Sequence, residues 1–582
     1  MVRDIDNLLF FIYGRELAAE YSPRLEAIMG EAERKIAAPT HRGTGRLPMD
    51  HTDALLITYG DSLQSPGQKP LETLLDFANN NLRDIFSGVH ILPFFPYSSD
   101  DGFSIIDYYE VNPELGTWKE IREIGSVFKI MSDLVLNHCS VQNEWFRRFL
   151  EDDPDYRDYF LNIDPSVDLS MIVRPRTHPL LTEFASESGP KHVWTTFSAD
   201  QVDLNFGSPK VLLEMIKVLL FHVQQGVQII RLDAIAYLWK EIGHPSIHHE
   251  KTHAAVKLFR AVLERVAPWV VIITETNVPH RENISYFGDM DDEAHMIYQF
   301  SLPPLVLDAF LRKDSRHLQR WAAALPDTGG RTTFFNFLAS HDGIGLLPAA
   351  GILEPAEIDG LVENTRDRGG FINYKATPAG NIPYEMNITY LDAVAERSLP
   401  VSERAKKFLA SQAIMLMLQG VPGIYIHSLL GSGNYPVGVK MTGQNRTINR
   451  EKLAYDKIAT ELDSPGSLRN LVFNGFQAML LARRSSPCFD PAGRMEILPT
   501  PSPVLALLRR APDRRDCIIA MVNLGPESAD LSFPPEVLPQ LTGKDSLRTD
   551  FTEIISGEMV KARRDGESLR FELPGYGVYW LK

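Results

Sequence analysis

The chain has 582 residues, of which 44% are hydrophobic and 23% are charged, a balance typical of a globular protein with a large apolar core. This length suits a large barrel with appended modules better than one simple domain. The formal net charge of −16 argues against broad binding to nucleic acid or to anionic membranes, so an anionic substrate would need a local cluster of Arg or Lys.

Cysteine usage and the amino terminus bear on the cellular compartment. The three cysteines, Cys139, Cys488 and Cys517, cannot form a disulfide framework and lack the spacing of metal ligands. The apolar run from Leu8 to Tyr13 is too short for a signal peptide or a membrane anchor. We therefore expect a cytoplasmic protein without membrane association.

Residues 1–50 are predicted to form a helical extension that packs on the main domain. Its apolar residues recur at roughly helical spacing, at Leu8, Phe11, Ile12, Leu17, Leu25, Ile28 and Met29. A basic linker that contains Pro and Gly follows from Pro39 to Pro48.

The central part of the chain alternates short apolar runs with helical patterns, which is typical of a parallel α/β sheet. The predicted strands are residues 54–59, 88–93, 129–136, 226–231, 270–274, 296–300, 333–338 and 423–426. We therefore predict the α/β class, with a (β/α)8 TIM barrel formed by residues 51–138 and 206–490.

Three further regions are predicted outside the barrel repeat. Residues 139–205 follow the third strand, are rich in Pro, Asp and Arg, and are predicted to form a small inserted domain. Residues 346–405 follow the seventh strand and are predicted to form a second excursion, partly helical and partly irregular. In residues 491–582, short β-prone runs alternate with Pro, Gly and Asp, a pattern that predicts a C-terminal antiparallel β-sandwich.

Two carboxylates end neighbouring predicted strands. Apolar, β-branched runs lead to Asp233 on the fourth strand and to Glu275 on the fifth. Parallel barrels carry their chemistry at the C-terminal ends of the strands, so the pair suggests a nucleophile and an acid/base acting on one glycosidic bond. The alternative is a structural ion pair between Arg231 and Asp233, with Glu275 capping a helix.

Four more segments place polar side chains at strand ends or in the loops beyond them. They are Asp100–Phe103, Asp133–His138, Gln201–Asn205 and Leu338–Gly343. Imidazoles and carboxylates there could bind sugar hydroxyls, while Phe103 or Phe197 stacks on the apolar face of a ring. Each segment alone also fits a structural strand end, but their joint occurrence in barrel order favours a binding site.

As a set, these motifs resemble glycoside hydrolase family 13, the α-amylase superfamily, and within it the sucrose phosphorylase-like subfamily. The resemblance runs from about Leu55 to Arg450. Its specific marks are Gly88–Gly116, Arg174–Arg176, Gln201–Asp203, His341–Gly345 and Asn445–Arg450.

The resemblance implies retaining transfer of an α-glucosyl group to phosphate, giving α-glucose 1-phosphate. Asp233 would be the nucleophile, Glu275 the acid/base and Asp342 the stabiliser of the transition state. We expect Glu275 to have a raised pKa and Asp233, beside Arg231, to stay ionised. The implied glucose-binding residues are Asp100, His138, Arg231, His341 and Arg446, with Phe103 and Phe197 stacking on the sugar and Gln201 on the acceptor side.

The resemblance implies no organic cofactor and no metal. Asn137 matches a calcium ligand of many amylases, but the sequence offers no second acidic cluster to complete such a site.

Phosphorolysis needs a cation near the acceptor, and Arg176 matches the family's phosphate-contacting arginine. Arg366, Arg368 and Lys375 lie in the second excursion, where they fit a solvated basic loop equally well. The expected partners are an α-glucoside and inorganic phosphate, with no nucleic acid; the oligomeric state is not predicted.

The leaving group is indicated by departures from sucrose phosphorylases. Asn277 stands where those enzymes carry a His, and the loop from Ser432 to Lys440 also differs. These departures resemble the glucosylglycerate phosphorylases of the same subfamily, whose glycerate carboxylate would be met by Lys375, Lys440 or Arg450. The expected substrate is 2-O-α-glucosylglycerate. Alternatives are sucrose or sucrose 6′-phosphate phosphorolysis, an α-glucosidase or transglucosidase, and a non-catalytic carbohydrate-binding barrel.

Overall fold

The computed structural model describes residues 4–36, 47–377, 380–533 and 549–582. Most of the basic linker expected at Pro39–Pro48 lies outside these ranges. Among the described residues, no helix combines the length and the apolar character needed to cross a membrane.

Eight parallel strands close into a barrel in which each strand pairs with its neighbours in chain order and the last pairs with the first. They are β1 Leu55–Thr58, β2 Gly88–Ile91, β3 Lys129–Val135, β4 Val227–Asp233, β5 Val271–Thr274, β6 Met296–Tyr298, β7 Thr333–Asn336 and β8 Val421–Tyr425. The strands are almost wholly buried because helices cover their outer face and packed side chains fill the interior. The predicted (β/α)8 barrel is confirmed.

Helices connect the strands and continue after β8. Two of the longer ones begin with Pro, whose missing N–H costs nothing in the first helical turn. The helices of the barrel region are Pro70–Asn81, Trp118–Gly125, Pro209–Gln224, Glu250–Val266, His280–Ile284, Leu302–Arg312, Arg316–Ala323, Val401–Met417, Ile426–Leu429, Pro436–Thr442, Tyr455–Leu462 and Leu468–Arg484, and the helix Glu144–Leu150 lies in the segment after β3.

The segment after β3 is held by two small antiparallel pairings. His138–Ser140 pairs with Gln201–Asp203, and Leu181–Phe184 pairs with Lys191–Trp194. The first pairing sets Ser140 opposite Gln201, so the end of the segment returns to the strand end from which it left.

The segment after β7, expected to be partly irregular, contains a β-hairpin. Its strands are Phe371–Thr377 and Gly380–Asn387, and the second also pairs with Ile344–Gly345 just beyond the end of β7. The hairpin is flanked by the helices Pro355–Asp367 and Tyr390–Val394.

The C-terminal region forms antiparallel sheets, as predicted. One sheet has four strands, Arg494–Leu498, Val504–Arg510, Cys517–Asn523 and Val578–Leu581. A second has Ala529–Phe533, Arg563–Asp565 and Ser568–Leu573, and a two-stranded pairing joins Asp550–Thr552 to Met559–Lys561. Alternate residues of the two larger sheets share one buried apolar cluster that includes Val504, Leu508, Phe533 and Phe571.

Two helices, Ile5–Tyr13 and Arg15–Lys35, lie against the outside of the barrel. The Tyr13 hydroxyl donates to the carbonyl of Phe206 at 2.8 Å. Arg265, near the end of a barrel helix, forms an ion pair with Glu26 at 2.7 Å. Both contacts attach the helices to the layer that surrounds β4.

Candidate active site

The two carboxylates identified in the sequence meet at one guanidinium. Asp233 ends β4 and Glu275 follows β5, and the two strands are paired side by side. Arg231 Nη1 lies 2.7 Å from Asp233 Oδ1, and its Nη2 lies 3.9 Å from Glu275 Oε2. Ala234 adopts the left-handed backbone conformation and donates its N–H to Glu275 Oε2 at 3.0 Å. The turn after Asp233 therefore also fixes Glu275.

A third carboxylate, Asp133, belongs to the same cluster and was given no role in the sequence analysis. It lies on β3, is fully buried, and contacts both Arg231 and His90, the latter at 2.7 Å. Burial opposes ionisation, but Arg231 and His90 outweigh it and lower the pKa of Asp133 to about 2. Asp133 is thus a permanent anion that shares the charge of Arg231 with Asp233.

Burial raises the pKa of Asp233 and also that of Glu275, although Arg231 opposes both shifts. The expectation that Arg231 simply keeps Asp233 ionised is therefore incomplete, because the guanidinium of Arg231 also forms an ion pair with Asp133. Two buried, interacting carboxyls hold a proton between them. The guanidinium lies closer to Asp233, so the negative charge is favoured there and the proton on Glu275.

Asp342, just beyond β7, lies in a second charged cluster. Arg446 Nη1 contacts Asp342 Oδ1 at 2.6 Å, and the other side of that guanidinium binds Glu385 at 2.9 Å. Arg446 and other arginines lower the pKa of Asp342 against the effect of burial. Glu385, on the hairpin, is fully buried and also accepts the N–H of Gly343 at 3.1 Å. The sequence analysis did not identify Glu385.

The expected sugar-binding residues come together between these clusters. Phe103 stacks on His341 with ring centroids 4.8 Å apart, and its carbonyl lies 3.0 Å from His138 Nε2. Gln201 Nε2 lies 3.1 Å from His138 Nε2 and 3.4 Å from Asp100 Oδ2. Burial lowers the pKa of His138 to about 4, so this imidazole is neutral at ordinary pH.

Arg450, predicted as an acceptor candidate, lies among these residues. Its side chain contacts Asp101 at 2.6 Å, the carbonyl of His341 at 2.8 Å and Asp342 at 3.8 Å. Arg450 is buried, and its Nη2 has no hydrogen-bond partner among the described residues.

Arg176 has a different environment. Its guanidinium lies 5.9 Å from the ring centroid of Phe197 and 5.8 Å from that of Tyr384, distances that allow cation–π attraction. Within the described chain it forms no ion pair or hydrogen bond. Phe197 in turn packs 5.2 Å from His138, so Arg176 borders the predicted sugar site.

Asn277 borders the same region, two residues beyond Glu275. Its Nδ2 donates to the Tyr384 hydroxyl at 3.4 Å, a long hydrogen bond, and its Oδ1 is buried without a partner in the described structure. Gly345 packs so closely that a Cβ there would lie 2.5 Å from Asn277 Oδ1. Tyr384 was not identified from the sequence, because it reaches the site on the hairpin.

The other basic residues considered for the acceptor side differ in their burial and in whether they have a structural partner. Arg366 donates to the Tyr374 hydroxyl at 2.6 Å, and Arg368 pairs with Glu396 at 2.6 Å, so both have structural partners. Lys375 is half-buried on the hairpin, and burial lowers the pKa of its ammonium. Lys440 is exposed on the helix Pro436–Thr442.

Asn137, which matches a calcium ligand of amylases, binds a lysine in this structure. The buried ammonium of Lys240 lies 2.8 Å from Asn137 Oδ1, 3.1 Å from Asp203 Oδ2 and 3.3 Å from the carbonyl of Leu238. Among the described residues, no group of three or more His, Cys, Asp or Glu side chains is arranged to hold a metal ion. Lys240 thus joins the end of β3, the inserted segment and the loop after Asp233.

Comparison with known proteins gives the family. Residues 82–343 match the alpha-amylase family model, described as alpha amylase, catalytic domain. The chain is 56% identical over 577 residues to a glucosylglycerate phosphorylase of Spirochaeta thermophila, which covers 99% of this chain and 97% of that protein. It is 48% identical over 497 residues to a glucosylglycerate phosphorylase of Allomeiothermus silvanus, covering 85% of this chain and 89% of that protein.

A solved structure agrees with these sequence relatives. The sucrose 6F-phosphate phosphorylase from Thermoanaerobacter thermosaccharolyticum superposes with a TM-score of 0.71 at 26% identity, covering 81% of this chain and 94% of that one. The chain therefore belongs to the alpha-amylase family, glycoside hydrolase family 13, and within it to the sucrose phosphorylase-like group.

Proposed function

We propose that this protein is a glucosylglycerate phosphorylase, a hexosyltransferase that moves the glucosyl group of 2-O-α-glucosylglycerate to inorganic phosphate in the cytoplasm. The observation that carries the proposal is the 56% identity to the Spirochaeta thermophila glucosylglycerate phosphorylase over 99% of the chain. The paired carboxylates on neighbouring strand ends and the unpaired cation beside them support the same chemistry.

In the first step Glu275 protonates the glycosidic oxygen while Asp233 attacks the anomeric carbon. The carbon–oxygen bond to glycerate breaks, a β-glucosyl ester to Asp233 forms, and glycerate leaves with the proton from Glu275. Burial raises the pKa of Glu275 and so favours its acid form, while the closer guanidinium of Arg231 favours the negative charge on Asp233. Asp342, held by Arg446, supplies negative charge where the oxocarbenium-like transition state is positive.

In the second step a phosphate oxygen attacks the anomeric carbon from the face that glycerate left. The bond to Asp233 breaks, and the carboxylate of Asp233 is restored. Glu275 regains its proton from the attacking hydrogen phosphate, which completes the cycle. Two displacements at one carbon retain the α-configuration, so the product is α-glucose 1-phosphate.

Arg176 is the residue we assign to the anionic acceptors. Glycerate carboxylate and phosphate reach the same face of the sugar in turn, and a planar guanidinium can bind either one with two parallel hydrogen bonds. The rings of Phe197 and Tyr384 hold the guanidinium without neutralising it. Asn277, which donates to the Tyr384 hydroxyl, and Lys375, on the hairpin, are the polar groups proposed to orient the glycerate.

The test is a product analysis in both directions. Purified protein is incubated with 2-O-α-glucosylglycerate with and without phosphate, and we expect α-glucose 1-phosphate to form only with phosphate. In synthesis, α-glucose 1-phosphate is offered with glycerate, fructose, fructose 6-phosphate or glycerol, and phosphate release should be fastest with glycerate. Preference for fructose or its phosphate would refute the substrate, and glucose release independent of phosphate would refute the phosphorylase.

A further inference from the structure

A cavity of about 490 Å³ in the C-terminal sheets has no part in the site described above. It is lined by Arg494, Met495, Glu496, Leu508, Arg510 and Arg514. Five of these residues come from the edge strand Arg494–Leu498 and its neighbour Val504–Arg510, and Arg514 comes from the turn that follows. None of the six lies in the barrel.

The register of the two strands sets like charges opposite each other. Arg494 pairs directly with Arg510 across the antiparallel ladder, and Glu496 pairs with Leu508. Directly opposed like charges destabilise a sheet unless an opposite charge lies between them. Arg514 adds a third guanidinium to the same cavity.

The neighbouring arginines Arg515 and Arg509 have polar partners within the protein, whereas the side chains of the three cavity arginines have none among the described residues. Arg515 lies 3.6 Å from Asp513, and Arg509 donates to the carbonyls of Met417 and Asp490 at 3.0 and 2.8 Å. Across the described ranges, the side chains of Arg494, Arg510 and Arg514 form no ion pair and no hydrogen bond. The cavity wall, which is open to solvent at Arg494, Glu496 and Arg514, therefore concentrates three cationic groups around one carboxylate, Glu496.

We propose that this cavity binds the phosphate group of a phosphate monoester of a polyhydroxy compound, such as a sugar phosphate. Three guanidiniums and the carboxylate of Glu496 give the wall a formal charge of +2, which a phosphate monoester dianion neutralises. Glu496 can accept a hydrogen bond from a hydroxyl of the ligand. Leu508 and Met495 form the apolar part of the cavity wall. The volume falls within the roughly 300–1,000 Å³ of small-molecule sites. This inference does not rest on the proposed function.

The binding test uses glucose 6-phosphate, inorganic phosphate and glucose as separate probes in isothermal titration calorimetry. The double variant Arg494→Gln/Arg510→Gln should bind glucose 6-phosphate at least tenfold more weakly than the parent. Two matched controls, Arg515→Gln beside the cavity and Arg176→Gln in the candidate active site, should bind it as the parent does. Glucose should not bind through this cavity. In the Arg176→Gln protein, which lacks the proposed active-site cation, inorganic phosphate should bind more weakly than glucose 6-phosphate.

Several results would overturn the inference. Equal affinity of the parent and the double variant would remove the cavity as the site, as would a loss of binding in Arg176→Gln alone. Equal binding of inorganic phosphate and glucose 6-phosphate to the Arg176→Gln protein would refute a role for the hydroxylated part of the ligand.

A melting experiment separates lost binding from misfolding. Because the double variant relieves a repulsion, it should melt at the same or a higher temperature than the parent without probe. The rise in melting temperature that glucose 6-phosphate gives the parent should be absent from it. A double variant that melts lower without probe, and still shows the full rise with probe, would contradict the proposal.

Discussion

The glucose side and the acceptor side of the candidate active site differ in how their charges are paired. On the glucose side, Arg231, Arg446 and Arg450 each contact at least two carboxylates. On the acceptor side, Arg176 has aromatic rings as neighbours and, in the part of the chain that the structure describes, neither an ion pair nor a hydrogen bond.

This difference matches what each side is proposed to do. The glucosyl group is the same in both half-reactions, so a rigid set of satisfied charges can be preorganised around it. The acceptor side must bind one anion, release it and bind another. A guanidinium already neutralised by a carboxylate of the protein would resist that exchange, whereas one held by rings stays available.

The largest expected effect is at the carboxylate pair. Asp233→Asn should lower phosphorolysis by about 10⁴-fold or more, because no ester can form. Glu275→Gln should lower it by roughly 10²- to 10⁴-fold, the usual worth of a general acid. With α-glucosyl fluoride, whose leaving group needs no proton, Glu275→Gln should still form the glucosyl-enzyme and Asp233→Asn should not. The reverse pattern, measured by fluoride release, would exchange the two assigned roles.

Replacing Arg176 should affect only the acceptor side of the candidate active site. Arg176→Gln should raise the KM for phosphate by about 10- to 100-fold, the value of a lost charged hydrogen bond. Fluoride release from α-glucosyl fluoride without phosphate should stay near the parent rate. Arg366→Gln, which removes a cation whose partner is Tyr374, is the matched control and should leave both rates unchanged. An equal loss of both rates in Arg176→Gln would argue that this arginine supports the glucose side.

The complementary change is Glu385→Gln. Without the Glu385 charge, Arg446 is held by Asp342 alone, so every glucosyl donor should bind less well, by about tenfold in KM. The KM for phosphate should change less, since Glu385 contacts Arg446 directly and acts on Arg176 only through longer-range electrostatics. Steady-state kinetics with 2-O-α-glucosylglycerate and with α-glucosyl fluoride would measure this. A selective effect on phosphate would break the division into two sides.

The raised pKa of Glu275 predicts a difference between donors as pH increases. The acid form is needed to expel glycerate, so kcat/KM for 2-O-α-glucosylglycerate should fall about tenfold for each pH unit above that pKa. The rate with α-glucosyl fluoride should lack this alkaline limb. Parallel pH profiles for the two donors would show that another group controls the decline.

The smallest expected effect tests the packing of the acceptor side. Gly345→Ala would place a Cβ 2.5 Å from Asn277 Oδ1, which forces the amide to move. A displacement of this kind costs about 1 kcal/mol, so we expect about fivefold weaker use of glycerate in synthesis. Donor kinetics with α-glucosyl fluoride should be unchanged. A loss that includes the donor would mean that the shift reaches Glu275.

Much of the fold was predictable because buried parallel strands leave continuous apolar runs in the sequence. The runs that end at Asp233 and Glu275 also carry the chemistry, since barrel strands expose their C-terminal ends. Periodicity and strand order therefore placed Asp233 and Glu275 at the same end of the barrel. The environment of Arg450 was harder to predict, because the sequence shows that this residue is charged but not which carboxylates surround it in the folded protein.

Two of the residues that the sequence analysis missed, Asp133 and Glu385, were missed for different physical reasons. Asp133 lies within an apolar strand, where a lone carboxylate is itself a signal of a buried charged partner, and that partner is 98 residues away. Glu385 reaches Arg446 through a hairpin that pairs with Ile344–Gly345. Such long-range register depends on tertiary packing, and local propensity does not reveal it.

The ammonium of Lys240 bears on how the protein tolerates phosphate and chelators. The charge that joins Asn137 to Asp203 is covalently part of the chain, so its occupancy does not depend on any free concentration. A divalent ion at this junction would be withdrawn by chelators and by inorganic phosphate, the very compound proposed as co-substrate. An ammonium fixed at this position lets the junction persist in concentrated phosphate.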